Sequence, residues 1–288
     1  MRFSHFAAID WSGAIGERHR GIALAICSEG DAAPALVRPG HIWSRAEALD
    51  WLRNQMPPDT LVGLDIGPSL PFVDAGSFFP GWPESPPDAR ALWRLVDDVC
   101  ASDPHLAASS FVDHPEASRH FRRHGNRPGE FFTGRGRLRQ TERAQREQGL
   151  NPYSNHNFVG AAQVGKSSLT GMRVLRRLDG VLPIWPFDPD PGAGSLIVEI
   201  YTSIAALAAG ARKGRTKLRS IEALNAALTH PAIASAPVPG AGPIDDHRSD
   251  ALLTAAWLRR AAHDPRLWRP AGLSEHISRT EGWTFGIA

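Results

Sequence analysis

Hydrophobic and polar positions alternate in short runs through the first third of the chain. "HFAAID" (5–10), "RGIALAICS" (20–28) and "PALVRPGHIW" (34–43) are apolar stretches bounded by turn residues, which predicts three successive strands in a meander. The period then changes. "SRAEALDWLRNQM" (44–56) opens on a Ser cap and repeats apolar residues through Ala48, Leu49, Leu52 and Met56, which predicts a helix. "TLVGLDIG" (60–67) reads as a fourth strand. A strand reached through a helical crossover runs parallel to an earlier strand of its sheet. The first and fourth strands are therefore expected side by side and parallel, and the first two antiparallel.

The pattern fades after that. "GPSLPFVDAGSFFPGWPESPPD" (67–88) is too rich in Pro and Gly for regular structure, "ARALWRLVDDVCA" (89–101) has helical spacing, and 119–146 holds nine arginines against two acids. We expect an Arg/Pro/Gly-rich insertion at about 68–160, lying over one face of the core. Regularity returns with a strand at "SLIVEIY" (195–201) and helices at "SIAALAAG" (203–210), "TKLRSIEALNAALT" (216–229) and "DDHRSDALLTAAWLRRAA" (245–262). The expectation is one α/β domain over 1–288: a mixed sheet of about five strands with helices on both faces.

Composition narrows the function classes. A chain of 288 residues with 42% hydrophobic content can bury a large core. It shows neither an export leader nor an apolar run of about 18 residues, so a soluble cytoplasmic protein with no membrane partner is expected. Two cysteines, Cys27 and Cys100, are too few for a disulfide framework or a cysteine zinc site. With a net charge of +2, no nucleic-acid partner follows from the whole-chain field.

"GAAQVGKS" (160–167) matches the phosphate-loop pattern G-x-x-x-x-G-K-[ST]. A true phosphate loop follows a buried apolar strand, whereas "NPYSNHN" before this one is polar and turn-like. Lys166 still stands out as one of only three lysines, and it is a candidate contact for a substrate phosphate.

Acids in apolar settings carry more information. Asp10 closes "FAAID", Asp65 closes "LVGLD", Glu199 interrupts "LIVEIY", and Asp250 shares a helical stripe with Leu253 and Trp257, with Asp246 four residues before it. A buried carboxylate costs several kcal/mol unless it is hydrogen-bonded or bound to a cation. Singly, Asp10 and Asp65 could bond loop amides, Glu199 could pair with an arginine, and Asp246 could cap its helix. Together, at the carboxyl edge of an open α/β sheet, they point to one or two Mg²⁺ or Mn²⁺ ions held by oxygen ligands.

Three meander strands, a helix and a parallel fourth strand, with acids on strand one, strand four and a late helix, resemble the ribonuclease H-like fold. More narrowly, "AIDWSGA", "GLDIGPSLP", "VEIYTS", "KGRTKLRSIEAL", "DDHRSDALLTAAWL" and "EGWTFGI" resemble the DUF429 family, regarded as predicted nucleases of that fold. "GAAQVGKSSLTG" is similar to a segment that recurs in that family, which weighs against an ATPase. The resemblance implies Asp10, Asp65, Glu199 and Asp250 as catalytic acids, with metal bound by these and Asp246; it leaves open which of Asp246 and Asp250 is the ligand. It implies phosphodiester hydrolysis by two-metal catalysis, acting on nucleic acid or another phosphodiester. Ser12, Lys166, Lys213 and Arg219 are candidates for substrate binding, and the arginines of 119–146, interleaved with Phe121, Phe131, Phe132 and Tyr153, are candidates for gripping backbone and stacking on bases.

Two other classes stay open on the same residues. One is an ATP-dependent kinase or ATPase of the related actin-like fold, with "DWSGAIG" as its glycine turn; the other is a non-catalytic protein that binds nucleic acid or a partner. Because "GAAQVGKS" lacks its strand, purified protein should release no phosphate from ATP or GTP, and Lys166→Ala should leave the thermal midpoint within about 2 °C of the parent. ATP turnover that vanishes in that variant would reverse the ranking.

Overall fold

Six strands form one mixed sheet in the order β3-β2-β1-β4-β8-β7. In the computed structural model of the chain, residues 2–160 and 163–288 are described. The elements are, in chain order, β1 (His5–Asp10), β2 (Ala23–Ser28), β3 (Ala35–Leu36), α1 (Arg45–Asp50), β4 (Thr60–Leu64), α2 (Ala89–Val99) and α3 (Ser109–Val112). A small hairpin of β5 (Arg122–Arg123) and β6 (Arg127–Pro128) follows, then α4 (Gln140–Glu147), α5 (Val164–Leu178), β7 (Ile184–Trp185) and β8 (Leu196–Glu199). The chain closes with α6 (Thr202–Ala208), α7 (Ile221–Leu228), α8 (Asp246–Ala261), α9 (Pro265–Trp268) and α10 (Glu275–Thr280).

β1 pairs antiparallel with β2 and parallel with β4, as the crossover argument requires, and β4 pairs parallel with β8. The expected fifth strand is β8, and the sixth, β7, is a two-residue edge strand without a sequence signal. Both faces of the sheet are covered, which is why the central strands read as nearly unbroken apolar runs. Ala7, Ile9, Val62 and Leu64 pack into one core with α1, α2 and α5. Phe6, Ala8, Leu61 and Val198 pack into the other with α6, α7 and α8. Among the described residues no helix is long and apolar enough to cross a membrane.

Three expectations change. The third strand shrinks from 34–43 to Ala35–Leu36, because the chain turns at Arg38 and Gly40, both with positive φ, around Pro39. The helix expected over 216–229 begins only at Ile221, where the Ser220 side chain caps the amide of Ala223. Finally, α5 was not anticipated: Gly165, Gly171 and a run of Ser and Thr lower its intrinsic propensity. Packing wins there, and Gly171 lies so close to Ile66 that a Cβ would stand 2.8 Å from its Cδ1.

The segment 68–160 is more than a cover. Its α2 buries Ala89, Leu92, Trp93 and Val96 in the core shared with α5. Its arginines are mostly staples: Arg119 pairs with Glu116 and Glu130, Arg123 with Asp113, and Arg137 with Asp74. Phe121 is fully buried among Phe79, Phe111 and Phe158, so it offers no face to a base. Only Phe131 and Tyr153 of the four aromatics proposed for stacking are exposed large hydrophobics.

The segment is tied to the sheet by buried carboxylates. Glu281, fully buried, accepts from the backbone amides of Phe72 at 2.6 Å, Val73 at 2.8 Å and Gln140 at 2.6 Å. One side chain from "EGWTFGI" thus holds two stretches of the Pro/Gly-rich segment. Glu281→Ala leaves three buried amides unpaired and should cost on the order of 4 kcal/mol in urea unfolding; a loss below about 1 kcal/mol would show that water or a shifted backbone replaces the carboxylate.

Candidate functional site

The ladder register decides where the acids stand. Ile9 lies opposite Leu64 and Leu64 opposite Glu199, so Asp10, Asp65 and Glu199 finish neighbouring parallel strands at one edge of the sheet. From the helix layer, α8 brings Asp250 to the same edge, with Leu253 and Trp257 of its stripe buried in the core beneath. Thr202, first residue of α6, joins the two sources: its Oγ1 lies 3.4 Å from Asp65 Oδ2 and 3.5 Å from Asp250 Oδ2.

The four carboxylates are compensated unequally. His247 Nδ1 is 3.0 Å from Asp10 Oδ2, and the Lys217 ammonium contacts Asp250 Oδ2 directly. Glu199 is held by the buried Arg139, with Nη1 and Nη2 reaching its two oxygens at 3.0 and 2.5 Å, and it accepts from Thr284 Oγ1 at 2.8 Å. This is the arginine pairing that its sequence position left open, so Glu199 stands at the edge as a satisfied acid. Asp65 receives only the long bond from Thr202.

Proton affinities follow from this. Burial pushes the Asp65 carboxyl well above its ordinary range, with the charges of Asp10 and Asp250 adding to the rise. Burial also raises Asp10, against the opposing bond from His247, and raises Asp250 to about 6 against Lys217. The bond to Asp10 raises the His247 imidazole in turn. Lys217 loses by burial but gains more from Asp250, Asp10 and Asp65, and stays above its ordinary value.

The turn after β1 borders this edge and is firmly held. Buried Arg45 donates to the carbonyls of Ser12 and Ala14, and the Trp11 indole donates to Thr170 of α5 at 3.0 Å. Gly13 is obligatory, since a Cβ there would collide with the backbone of Lys166 and Ser167. Ser12 Oγ accepts from the Ala14 amide at 3.3 Å. The phosphate-loop pattern runs into the start of α5, its Ala161 and Ala162 lying outside the described residues, and among the described residues no strand leads into it, the bridge between Asn157 and Arg122 being isolated.

Of the remaining candidates only Arg219 has an ion pair with one of the predicted acids among the described residues. Lys166 faces a cavity of 310 Å³ with Ile15, Ala107 and Val112. Lys213 lies over Gly149, just beyond α4. Arg219 is exposed, 3.9 Å from Asp246. Asp246 is not the cap of α8: Asp245 is, accepting from the Arg248 amide at 2.9 Å.

Sequence reasoning missed Lys217, His247, Thr202 and Arg139. Two signals were available: Lys217 is one of only three lysines, and His247 sits between Asp246 and Asp250 in "DDHRSD". Lys217 was hidden by the expected helix; because α7 starts late, the extended residues before Ser220 deliver the ammonium to Asp250.

The fold and site define an α/β protein whose mixed sheet gathers acids at its carboxyl edge. Comparison with family models, curated proteins and solved structures finds no match to this chain.

An acid whose folded pKa exceeds its unfolded value binds its proton more tightly when folded. The associated stability is present in full below the ordinary 3.8 and is lost as pH rises through about 6 for Asp250. Asn cannot ionise. In EDTA, Asp250→Asn should therefore match the parent near pH 4 and exceed it near pH 8 by on the order of 1–3 kcal/mol in urea unfolding. Lower stability near pH 8 would make Asp250 a structural partner of Lys217.

Proposed function

We propose that the protein is a metal-dependent phosphodiester hydrolase of the ribonuclease H-like kind, acting on nucleic acid, as its resemblance to the DUF429 family implies. The observation that carries the reading is the convergence of Asp10, Asp65 and Asp250 on one edge with too little positive charge beside them. Three carboxylates meet one lysine and one histidine, and among the described residues no cation bonds Asp65 itself. The sheet order agrees with the reading: β1 ends a three-stranded meander with β2 and β3 on one side, and parallel β4 and β8 follow on the other.

The donor set fits a divalent cation in charge and hardness, being entirely carboxylate oxygen. Among the described residues no three His, Cys, Asp or Glu side chains stand as a ready ligand group, and His247 and Lys217 contact oxygens of Asp10 and Asp250. Asp10, Asp65 and Asp250 would hold Mg²⁺ or Mn²⁺, with Asp246 at the rim. Bound there, the metal would supply an acidified water and charge stabilisation at the phosphate.

The chain's own groups divide the remaining work. With His247 Nδ1 3.0 Å from Asp10 Oδ2, the other ring nitrogen, Nε2, is left to exchange a proton with a departing oxygen. Lys217, about half exposed, places a mobile ammonium beside the acids, where it offsets phosphate charge once released from Asp250. Arg139 keeps Glu199 ionised and fixed without adding to the crowding around Asp65. The pairs to His247 and Lys217 also favour a second reading, in which the acids are permanently satisfied and the protein only binds a partner.

Manganese separates the two. Millimolar Mn²⁺ should raise the thermal midpoint of the parent by several degrees and promote cleavage of a labelled oligonucleotide. Asp65→Asn should lose the thermal shift and lower cleavage by on the order of a hundredfold or more. An unresponsive parent sinks the metal reading; a shift that survives in Asp65→Asn removes Asp65 from the site.

A further inference from the structure

Five of the nine arginines in the basic segment, Arg119, Arg123, Arg137, Arg139 and Arg143, face acids of this chain, and a second positive surface lies elsewhere. One cavity supplies it. A groove of 390 Å³ lies over β2 and β3 beside the acid edge, rimmed by Arg20, Arg38, Arg248, His41 and His247, with Asp245 as its single acid. Its lining carries a net positive charge, whereas the cavity around Lys166 balances that residue with Asp113 and the one around Arg259 and Arg260 balances them with Glu29 and Asp31. The cavity beneath Asp65, by contrast, sets Arg139 against Asp65, Glu142 and Glu199.

The rim charges are available. Arg20 is exposed and makes no hydrogen bond or ion pair among the described residues. Arg38 spends one bond on the neutral Gln55 and lies 4.9 Å from the Trp43 ring centroid, so its charge is not cancelled. Arg248 meets only the half-exposed Asp245, an ion pair of the kind that contributes little in water. Beneath them Ile22, Leu24 and Leu36 form an apolar floor, and exposed Ile42 continues it at the surface.

The groove leads to the carboxylates. Ala23 of its lining is the ladder partner of Asp10 across β1 and β2. His247 belongs to both places: it lines the groove and bonds Asp10. Gly21 packs beside His247 and Ser12, where a Cβ would stand 3.3 Å from Ser12 Oγ and in ordinary contact, 3.4 Å, with the His247 ring. Three guanidiniums spaced along one groove match the phosphates of a polyanionic strand, and exposed Ile42 leaves an apolar contact for an unpaired base.

We propose that this groove binds a single nucleic-acid strand and delivers its next phosphodiester past His247 to Asp10. The inference rests on the hydrolase reading but has its own test. Binding of a fluorescein-labelled oligothymidylate is followed by anisotropy in EDTA across a salt series, so that no cleavage intervenes. Arg20→Gln/Arg248→Gln should weaken binding about tenfold or more and lower the salt slope by roughly 0.7 for each phosphate that is no longer neutralised. Arg260→Gln/Arg269→Gln, an equal loss of charge away from the groove, should leave both unchanged. Both double variants should keep the parent's Mn²⁺ thermal shift, which shows the acid site intact. Equal weakening by the two pairs, or none by the groove pair, overturns the groove while the hydrolase reading stands on its Mn²⁺ response. A parent that binds no oligonucleotide overturns the groove and the nucleic-acid substrate together.

Discussion

Arg139 is buried between two glutamates from different parts of the chain, and the rest of the site depends on that arrangement. Its Nε and Nη2 reach Glu142 of α4 at 2.8 and 2.5 Å, its Nη groups reach Glu199 of β8, and Nη1 also donates to the Glu281 carbonyl at 3.0 Å. Burial opposes the guanidinium charge, but the two carboxylates outweigh it and hold the cation firmly protonated. A fixed fork with its donors satisfied is the form in which a buried charge is tolerable. The irregular segment before α4 is thereby locked onto the sheet edge, and Glu199 has a cation of its own while adding less than Asp10 and Asp250 to the repulsion at Asp65.

With that acid neutralised locally, the edge keeps a graded set of carboxylates. Glu199 has a permanent cation, Asp10 has a titratable histidine, Asp250 has a half-exposed lysine, and Asp65 has a hydroxyl. The gradient runs from fixed to exchangeable partners, and it locates the residues that an arriving cation would find least committed. Repulsion among Asp10, Asp65 and Asp250 is stored because α8 and the parallel ladder hold their backbones in place. Packing of Phe6, Leu61 and Val198 against α8 resists relaxation of that geometry.

Charge is sorted around this edge in a way that the linear chain conceals. Arg119, Arg123 and Arg137 of 119–146 pair with acids of the stretch before it, because a Pro/Gly-rich stretch with few regular elements needs side-chain bonds to order its backbone. Arg20, Arg38 and Arg248, far apart in sequence, become neighbours because β2 pairs with β3 beneath the start of α8. Density of charge along a chain therefore says little about density on its surface.

Much of the sheet was legible from residues alone. Apolar runs ending in a single acid marked β1, β4 and β8, and the crossover rule placed β4 beside β1, since strand periodicity and connection handedness are local properties. Asp10, Asp65 and Asp250 were legible for the same reason: a charge among apolar neighbours is costly wherever it occurs. What α5 would be was not legible, because Gly165 and Gly171 oppose a helix locally and favour it only where Asn155 and Ile66 press close. Nor was the pairing of each acid, which depends on side chains 33, 60 and 237 residues apart meeting across elements: Lys217 with Asp250, Arg139 with Glu199, His247 with Asp10. Burial cost is written into a segment's own composition, so the sequence by itself determined which acids need a partner. The identity of that partner is a matter of distance in space, and only the tertiary structure decided it.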